Sequence, residues 1–348
     1  MKGKIILLVV LSLLMVSCGS NKKQKLYVYN WTDYIDPELI KEFEKEYNCE
    51  VVYDTYNSNE NMLTKIMNST VSYDIVCPST DHVVIMIQQN LLEKLDKSKL
   101  PDYKNLDTTI LNKCKIFDPD NQYAVPYFWG TTGIIYNKNK IFDKILEDVS
   151  WDIFADLKYK KKVSMLDDMR VVIGTALLAA GCNYNDASQE AIAKAREHLL
   201  KWDENVLHYD SEAYKNEIQD GTVYFAQAYS GDALQIMDQN ENIGFTLPKE
   251  GAELWIDSWV ILKNSENKDL AHKFINFILL NKENAKRNAE FVKYATPNKE
   301  AYNLLPEEMK NNKIIYPSNE YLNKCDITRN VGEKIKNMNK LWEEIRNN

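Results

Sequence analysis

The chain has 348 residues, 45% hydrophobic and 27% charged, with 51 acidic side chains against 43 Lys and Arg. Its formal charge of −8 argues against a nucleic-acid partner. The four histidines, His82, His198, His208 and His272, show no metal-ligand spacing, and there is no P-loop or GxSxG signature. Neither a metal nor a cofactor is called for.

Lys2 and Lys4 precede an apolar run over 5–16, about half of the roughly 20 residues that span a bilayer, so 1–17 reads as a signal peptide. Ser17-Cys18-Gly19-Ser20 follows in the manner of a bacterial lipoprotein signal, with Met15 where leucine is usual. Cys18 is then the lipidated residue and 18–25 a polar tether; the alternative is cleavage nearby, with Cys18 an incidental thiol. Losing Lys2 and Lys4 takes the formal −8 to −10. About 330 residues remain, enough for two domains with proper cores. Cys49, Cys77, Cys114, Cys182 and Cys325 are odd in number and form no CxxC pair, which argues against a disulfide framework. Cys77 lies in an apolar run and reads as a buried thiol.

From residue 26 strands and helices alternate. Strands are expected at 26–29, 51–53 and 74–77, with Asp36-Pro37 and Ser58 or Asn59 opening helices between them. A glycine-flanked extended run, Tyr127 to Tyr136, suits a strand crossing between lobes. A second series follows, with strands at 163–166 and 222–228 and helices at 169–180 and 188–201. The run 254–262 suits a return crossing. Leu270, Phe274, Phe277 and Ile278 mark one later helix face, and Val331, Ile335, Met338, Trp342 and Ile345 another. Such alternation implies α/β architecture with a mostly parallel sheet flanked by helices, and ligands beyond the carboxyl ends of the strands.

Trp255-Ile256-Asp257-Ser258-Trp259 carries the chemistry. Alternate residues of a strand share a face, so a carboxylate sits between two indoles. An unpaired buried charge is costly in a core, but a counter-ion beside π faces suits an organic cation. Trp259 reads as packing between sheet and helix. Tyr29-Asn30-Trp31-Thr32-Asp33-Tyr34 has the same aromatic-acid character, more than two hundred residues earlier. Together they suggest a ligand held between two lobes.

These segments, with Asp96-Lys97-Ser98-Lys99-Leu100, Pro126-Tyr127-Phe128-Trp129-Gly130, Pro248-Lys249-Glu250-Gly251 and Ala295-Thr296-Pro297-Asn298, resemble the polyamine-binding proteins of bacterial ABC importers, the spermidine/putrescine type. The resemblance runs from about Lys25 to the C-terminus. It implies a two-lobe periplasmic-binding-protein fold of type II, each lobe a mixed, mostly parallel sheet, with a crossing-strand hinge. The lobes are expected at 26–130 plus 256–302 and at 131–255 plus 303–348. It also implies a monomer, anchored to the membrane only through its lipid at the outer face of the cytoplasmic membrane or in the periplasm. That monomer delivers putrescine or spermidine to permease subunits.

By position, the resemblance assigns Trp31, Thr32 and Tyr34 to a first wall, and Asp33 to an ammonium end. Ser79 matches a hydroxyl contact, Asp81 stands where relatives have tyrosine or serine, and Asp168 matches an acid of the spermidine type. Trp255, Asp257 and Tyr294 match directly. Many relatives carry a glutamate where this chain has Val171, and Tyr229 replaces the tryptophan of a Trp-x-Gly segment. Asp232 matches an aspartate of putrescine-preferring relatives, which tilts the reading toward putrescine. The residues alone also suit local roles: Asp33 as a turn, Asp168 as a helix cap, and Asp81 and Asp232 as helix starts. Other cargoes stay open, namely agmatine, a cationic amino acid or ferric iron bound by tyrosines, as does a surface hydrolase or lyase using Asp33 and Asp257.

Overall fold

The computed structural model describes residues 23–68, 72–141 and 148–347. The signal peptide, lipidated Cys18 and most of the tether fall outside them. Gln24 and Lys25, read as tether, are already paired in a strand with Cys49 and Glu50.

Nine strands are described: β1 (Gln24–Trp31), β2 (Cys49–Tyr56), β3 (Ile75–Val76), β4 (Ala124–Asn137), β5 (Val163–Met165), β6 (Val206–Tyr209), β7 (Phe225–Tyr229), β8 (Ile243–Thr246) and β9 (Leu254–Ile261). β2, β1 and β3 run parallel, and β9 and the first half of β4 extend that sheet antiparallel. The second lobe repeats the scheme: β6, β5 and β7 are parallel, and β7 and β8 both flank the second half of β4 antiparallel. β4 is thus the shared strand, 14 residues long and buried throughout. At ~3.3 Å per residue it is long enough to serve both sheets. Its register against β9 shifts between Pro126 and Phe128, where proline has no N–H to give the ladder. The run expected as a return crossing, β9, forms ladders with β3 and the first half of β4, and its Asp257 makes an isolated bridge to Ser79.

Two strands, β6 and β8, had no sequence signal. β6 is half-exposed and only four residues long. β8 contains Gly244, where an added Cβ would lie 2.4 Å from the Tyr136 ring, so the close approach of two strands demands glycine and hides the pattern. The helix starts follow their caps. Asp36 accepts from the N–H of Glu38 ahead of Pro37. Of the two candidates at the next start, Ser58 is the cap, accepting from Asn61 N–H at 3.2 Å, while the Asn59 side chain instead accepts from Ser79 N–H at 3.1 Å.

One core joins β1, β3 and β9 to the helices Pro37–Glu46, Thr80–Gln88 and Lys268–Ile275, and also takes in Leu305, Met309, Ile315 and Ile327. Trp259 lies wholly inside it, 5.0 Å from Tyr127 and 5.6 Å from Phe274 between ring centroids, as packing requires. A second core gathers Trp151, Phe154 and Trp202 with Met338, Leu341 and Ile345 of the helix Ile335–Arg346. Cys77 is buried, and all five cysteines among the described residues are free. No helix among the described residues is long and apolar enough to cross a membrane.

Candidate functional site

The carboxyl ends of β1, β2, β5 and β7, and the turn after β3, converge on one cleft with about 880 Å³ of free space, mouth included. Eleven of the twelve residues expected at the site line it: Trp31, Thr32, Tyr34, Ser79, Asp81, Asp168, Tyr229, Asp232, Trp255, Asp257 and Tyr294. Asp33 does not. It is exposed and takes the left-handed conformation (φ 53°), a turn residue after β1.

Asp257 is the most fully positioned acid. β9 carries it opposite Phe128 of β4, and both its oxygens are occupied: Tyr34 Oη donates at 2.9 Å and Ser79 Oγ at 2.6 Å. It is buried. Burial pushes its carboxyl up to about 7, against the lowering pull of Ser79 and Tyr34. Aromatic walls surround it. The Tyr294 ring stands edge-on to Trp255 at 4.8 Å, Tyr229 is edge-on to Trp255 at 6.4 Å, and Tyr34 meets Tyr294 at 5.5 Å. Trp31 is fixed by its indole N–H, which donates to the Cys77 carbonyl at 2.9 Å.

Two glycines make this packing possible. A Cβ on Gly130 would lie 2.4 Å from the Trp255 ring, and one on Gly231 would lie 2.4 Å from the Tyr294 ring. Gly231→Ala is therefore expected to displace Tyr294 and weaken ligand binding about tenfold, by the loss of one aromatic contact of about 1.4 kcal/mol. Calorimetric titration of the variant checks this.

The remaining predicted acids carry local duties as well. Asp168 caps the helix Met169–Ala179, accepting from the N–H groups of Arg170 and Val171, and it also faces the cleft. Burial, then the neighbouring charge of Glu60, push it up to about 7. Asp81 starts the helix Thr80–Gln88 and pairs with His82 at 3.1 Å. Burial opposes its charge, but His82 and Arg170 outweigh that and hold its carboxyl below the usual range. Asp232 already has a cation: Lys215 Nζ lies 3.1 Å away, bridging to Glu212, and Tyr214 and Tyr294 also donate to Asp232. Val171 is buried at the cleft wall and offers no charge.

Sequence reasoning missed four lining residues that shape the field: Glu60, Arg170, Lys215 and Glu253. Lys215 comes from the short helix Tyr214–Asp220, whose approach to Asp232 has no local signature. Glu253 could have been found, because it continues the alternation of Trp255 and Asp257 two residues upstream. In total seven carboxyl groups face two permanent cations, Arg170 and Lys215. Such a cleft favours a ligand with several positive charges and apolar faces. Among the described residues there is no group of three or more His, Cys, Asp and Glu placed to hold a metal ion.

The bacterial extracellular solute-binding protein model matches residues 38–317. The chain is 37% identical to the spermidine/putrescine-binding periplasmic protein of Salmonella typhimurium over 324 residues, 93% of this chain and 92% of that one. Among solved structures, the putative spermidine/putrescine ABC transporter from Listeria monocytogenes superposes with a TM-score of 0.85 at 39% identity, covering 93% of this chain and 99% of that one. The TpPotD lipoprotein of Treponema pallidum superposes at 0.83 with 32% identity, covering 93% and 100%. Fold, cleft and kinship agree, and the chain belongs to the family of bacterial extracellular solute-binding proteins.

Proposed function

We propose that the protein is the extracytoplasmic receptor of an ABC importer for polyamines, binding putrescine or spermidine between its lobes and handing it to the permease. The observation that carries this reading is Asp257, a buried carboxylate held by Tyr34 and Ser79 and flanked by Trp255 and Tyr294. The relatives named for spermidine and putrescine support the cargo class.

Each ammonium of a polyamine gains about 1.5–3 kcal/mol from a charge-assisted hydrogen bond. Each aromatic face adds roughly 0.5–2 kcal/mol along the spacers. Two ammonium contacts and four aromatic faces together supply roughly 5–14 kcal/mol, a range that contains the ~8 kcal/mol of micromolar binding. The site consists of Trp31, Thr32, Tyr34, Ser79, Asp168, Tyr229, Trp255, Asp257 and Tyr294, with Asp81 and Asp232 as flanking acids already paired inside the protein. The lobes hinge about β4, and closure on ligand presents one form to the permease. The protein works as a monomer without enzymatic turnover, tethered at the membrane surface through Cys18; the Treponema lipoprotein among its structural relatives supports that anchor.

A thermal-shift panel tests the cargo. Spermidine or putrescine raises the melting temperature by several degrees at a hundredfold excess over Kd, where ligand linkage contributes about 2.7 kcal/mol. Stabilisation by ferric iron, agmatine or arginine, with none by either polyamine, contradicts the reading.

A further inference from the structure

We propose that Glu253 is a second cation-binding carboxylate of the cleft, taking the far ammonium of a ligand whose near ammonium is held by Asp257. The inference rests on the polyamine reading above and adds to it a residue.

Glu253 stands just ahead of β9 and is 6% exposed. One carboxyl oxygen, Oε1, accepts from Thr328 Oγ1 at 2.6 Å. The other, Oε2, is buried without any hydrogen-bond partner, although the residue lines the cleft. A buried, half-satisfied carboxyl group costs stability. Its retention beside a cleft of cation-binding character is explained if a ligand N–H completes it. Among the described residues no cation does so: Lys215 is engaged by Glu212 and Asp232, and Arg170 donates to the Arg329 carbonyl and to Asn185. The groups facing Glu253 are acidic: Asp168 first, then Asp81 and Asp257. Burial and these neighbours push its carboxyl up to about 8, so an arriving ammonium would ionise it.

The spacing suits a polyamine. Glu253, Trp255 and Asp257 alternate, so Glu253 and Asp257 are four residues apart on one face, roughly 13 Å between Cα atoms at ~3.3 Å per residue. Strand side chains stand roughly perpendicular to the sheet, so both carboxylates project from that face. At about 1.25 Å of advance per bond, an extended four-methylene diamine spans ~6 Å between nitrogens and spermidine ~11 Å, and a hydrogen bond of ~2.8 Å at each end extends those reaches to ~12 and ~17 Å. Either ligand therefore reaches both carboxylates, with its spacer across Trp255.

The experiment is calorimetric titration of spermidine and putrescine into wild-type protein and Glu253→Gln, in two buffers of different ionisation enthalpy. Glutamine keeps an acceptor for Thr328 and removes the charge. The expected result is a ten- to thirtyfold loss for both amines and fewer protons released on binding. Affinity for both amines within threefold of wild type overturns the proposal. A wild type that binds neither amine removes the polyamine reading itself, and this inference with it. Should the variant fail to fold, carbon-13 NMR of glutamate carboxyls in the wild type decides: Glu253 ionises on spermidine addition at neutral pH, and an unchanged Glu253 signal overturns the proposal.

Discussion

Asp257→Asn is expected to weaken polyamine binding about a hundredfold while leaving the empty protein folded. The loss follows from one charge-assisted hydrogen bond in a buried site, about 2.7 kcal/mol at the upper end of its usual range. The folded state does not suffer the same way. Burial already resists the Asp257 charge and pushes its carboxyl up to about 7, so above that pH the wild type bears the strain of an ionised buried group that asparagine lacks. At pH 8 the empty variant is therefore expected to melt no lower than wild type, apart from the loss of one of the two donations from Tyr34 and Ser79. Calorimetry for affinity and thermal melting for stability check the two halves separately. An unchanged affinity would remove Asp257 from the site.

A strong pH dependence is the second large effect. Asp168 and Asp257 are pushed up to about 7 and Glu253 to about 8, each chiefly by burial. In an unfolded chain Asp and Glu titrate near 4. Between about pH 4 and 8 the folded, empty protein thus holds more protons than the unfolded chain, and its stability falls as pH rises through that window. A bound ammonium favours the ionised carboxylates, so binding releases protons and affinity rises with pH. The slope is up to about tenfold per pH unit for each proton released. The groups around these three acids keep the direction of the effect. Glu60 adds like charge near Asp168, while Asp81 is partnered by His82 and faces Arg170. Titrations at pH 6, 7 and 8 are expected to show affinity climbing about a decade per unit, as the empty protein's melting temperature declines. A flat affinity across that range contradicts the cause assigned here.

Much of this site was legible because strands announce their faces. The two-residue period of Trp255 and Asp257 put an acid and an indole on one side, and the structure brings both to the cleft. Trp259, two residues on, passes from cleft to core, where it packs against Phe274 and Tyr127. Glu253 obeys the same period but sits before the strand's first residue, which explains why the pattern was not followed back to it. Asp33 misled for the opposite reason. Its neighbours Trp31 and Tyr34 do face the cleft, but a left-handed turn points the backbone elsewhere between them. The tilt toward putrescine rested on Asp232, and the Lys215 that occupies Asp232 comes from a different helix, a long-range pairing no local periodicity reveals. The strand-helix alternation gave the layers; the sharing of β4 by both sheets depended on pairing partners that only the fold supplies.

The central claim is that this cleft binds a polyamine. Calorimetric titration of spermidine and putrescine into protein freed of ligand by unfolding and refolding tests it most directly. One saturable site of micromolar or tighter affinity for at least one of them is the predicted result. Absence of saturable binding by either amine at millimolar concentration, in protein that melts cooperatively, would contradict it.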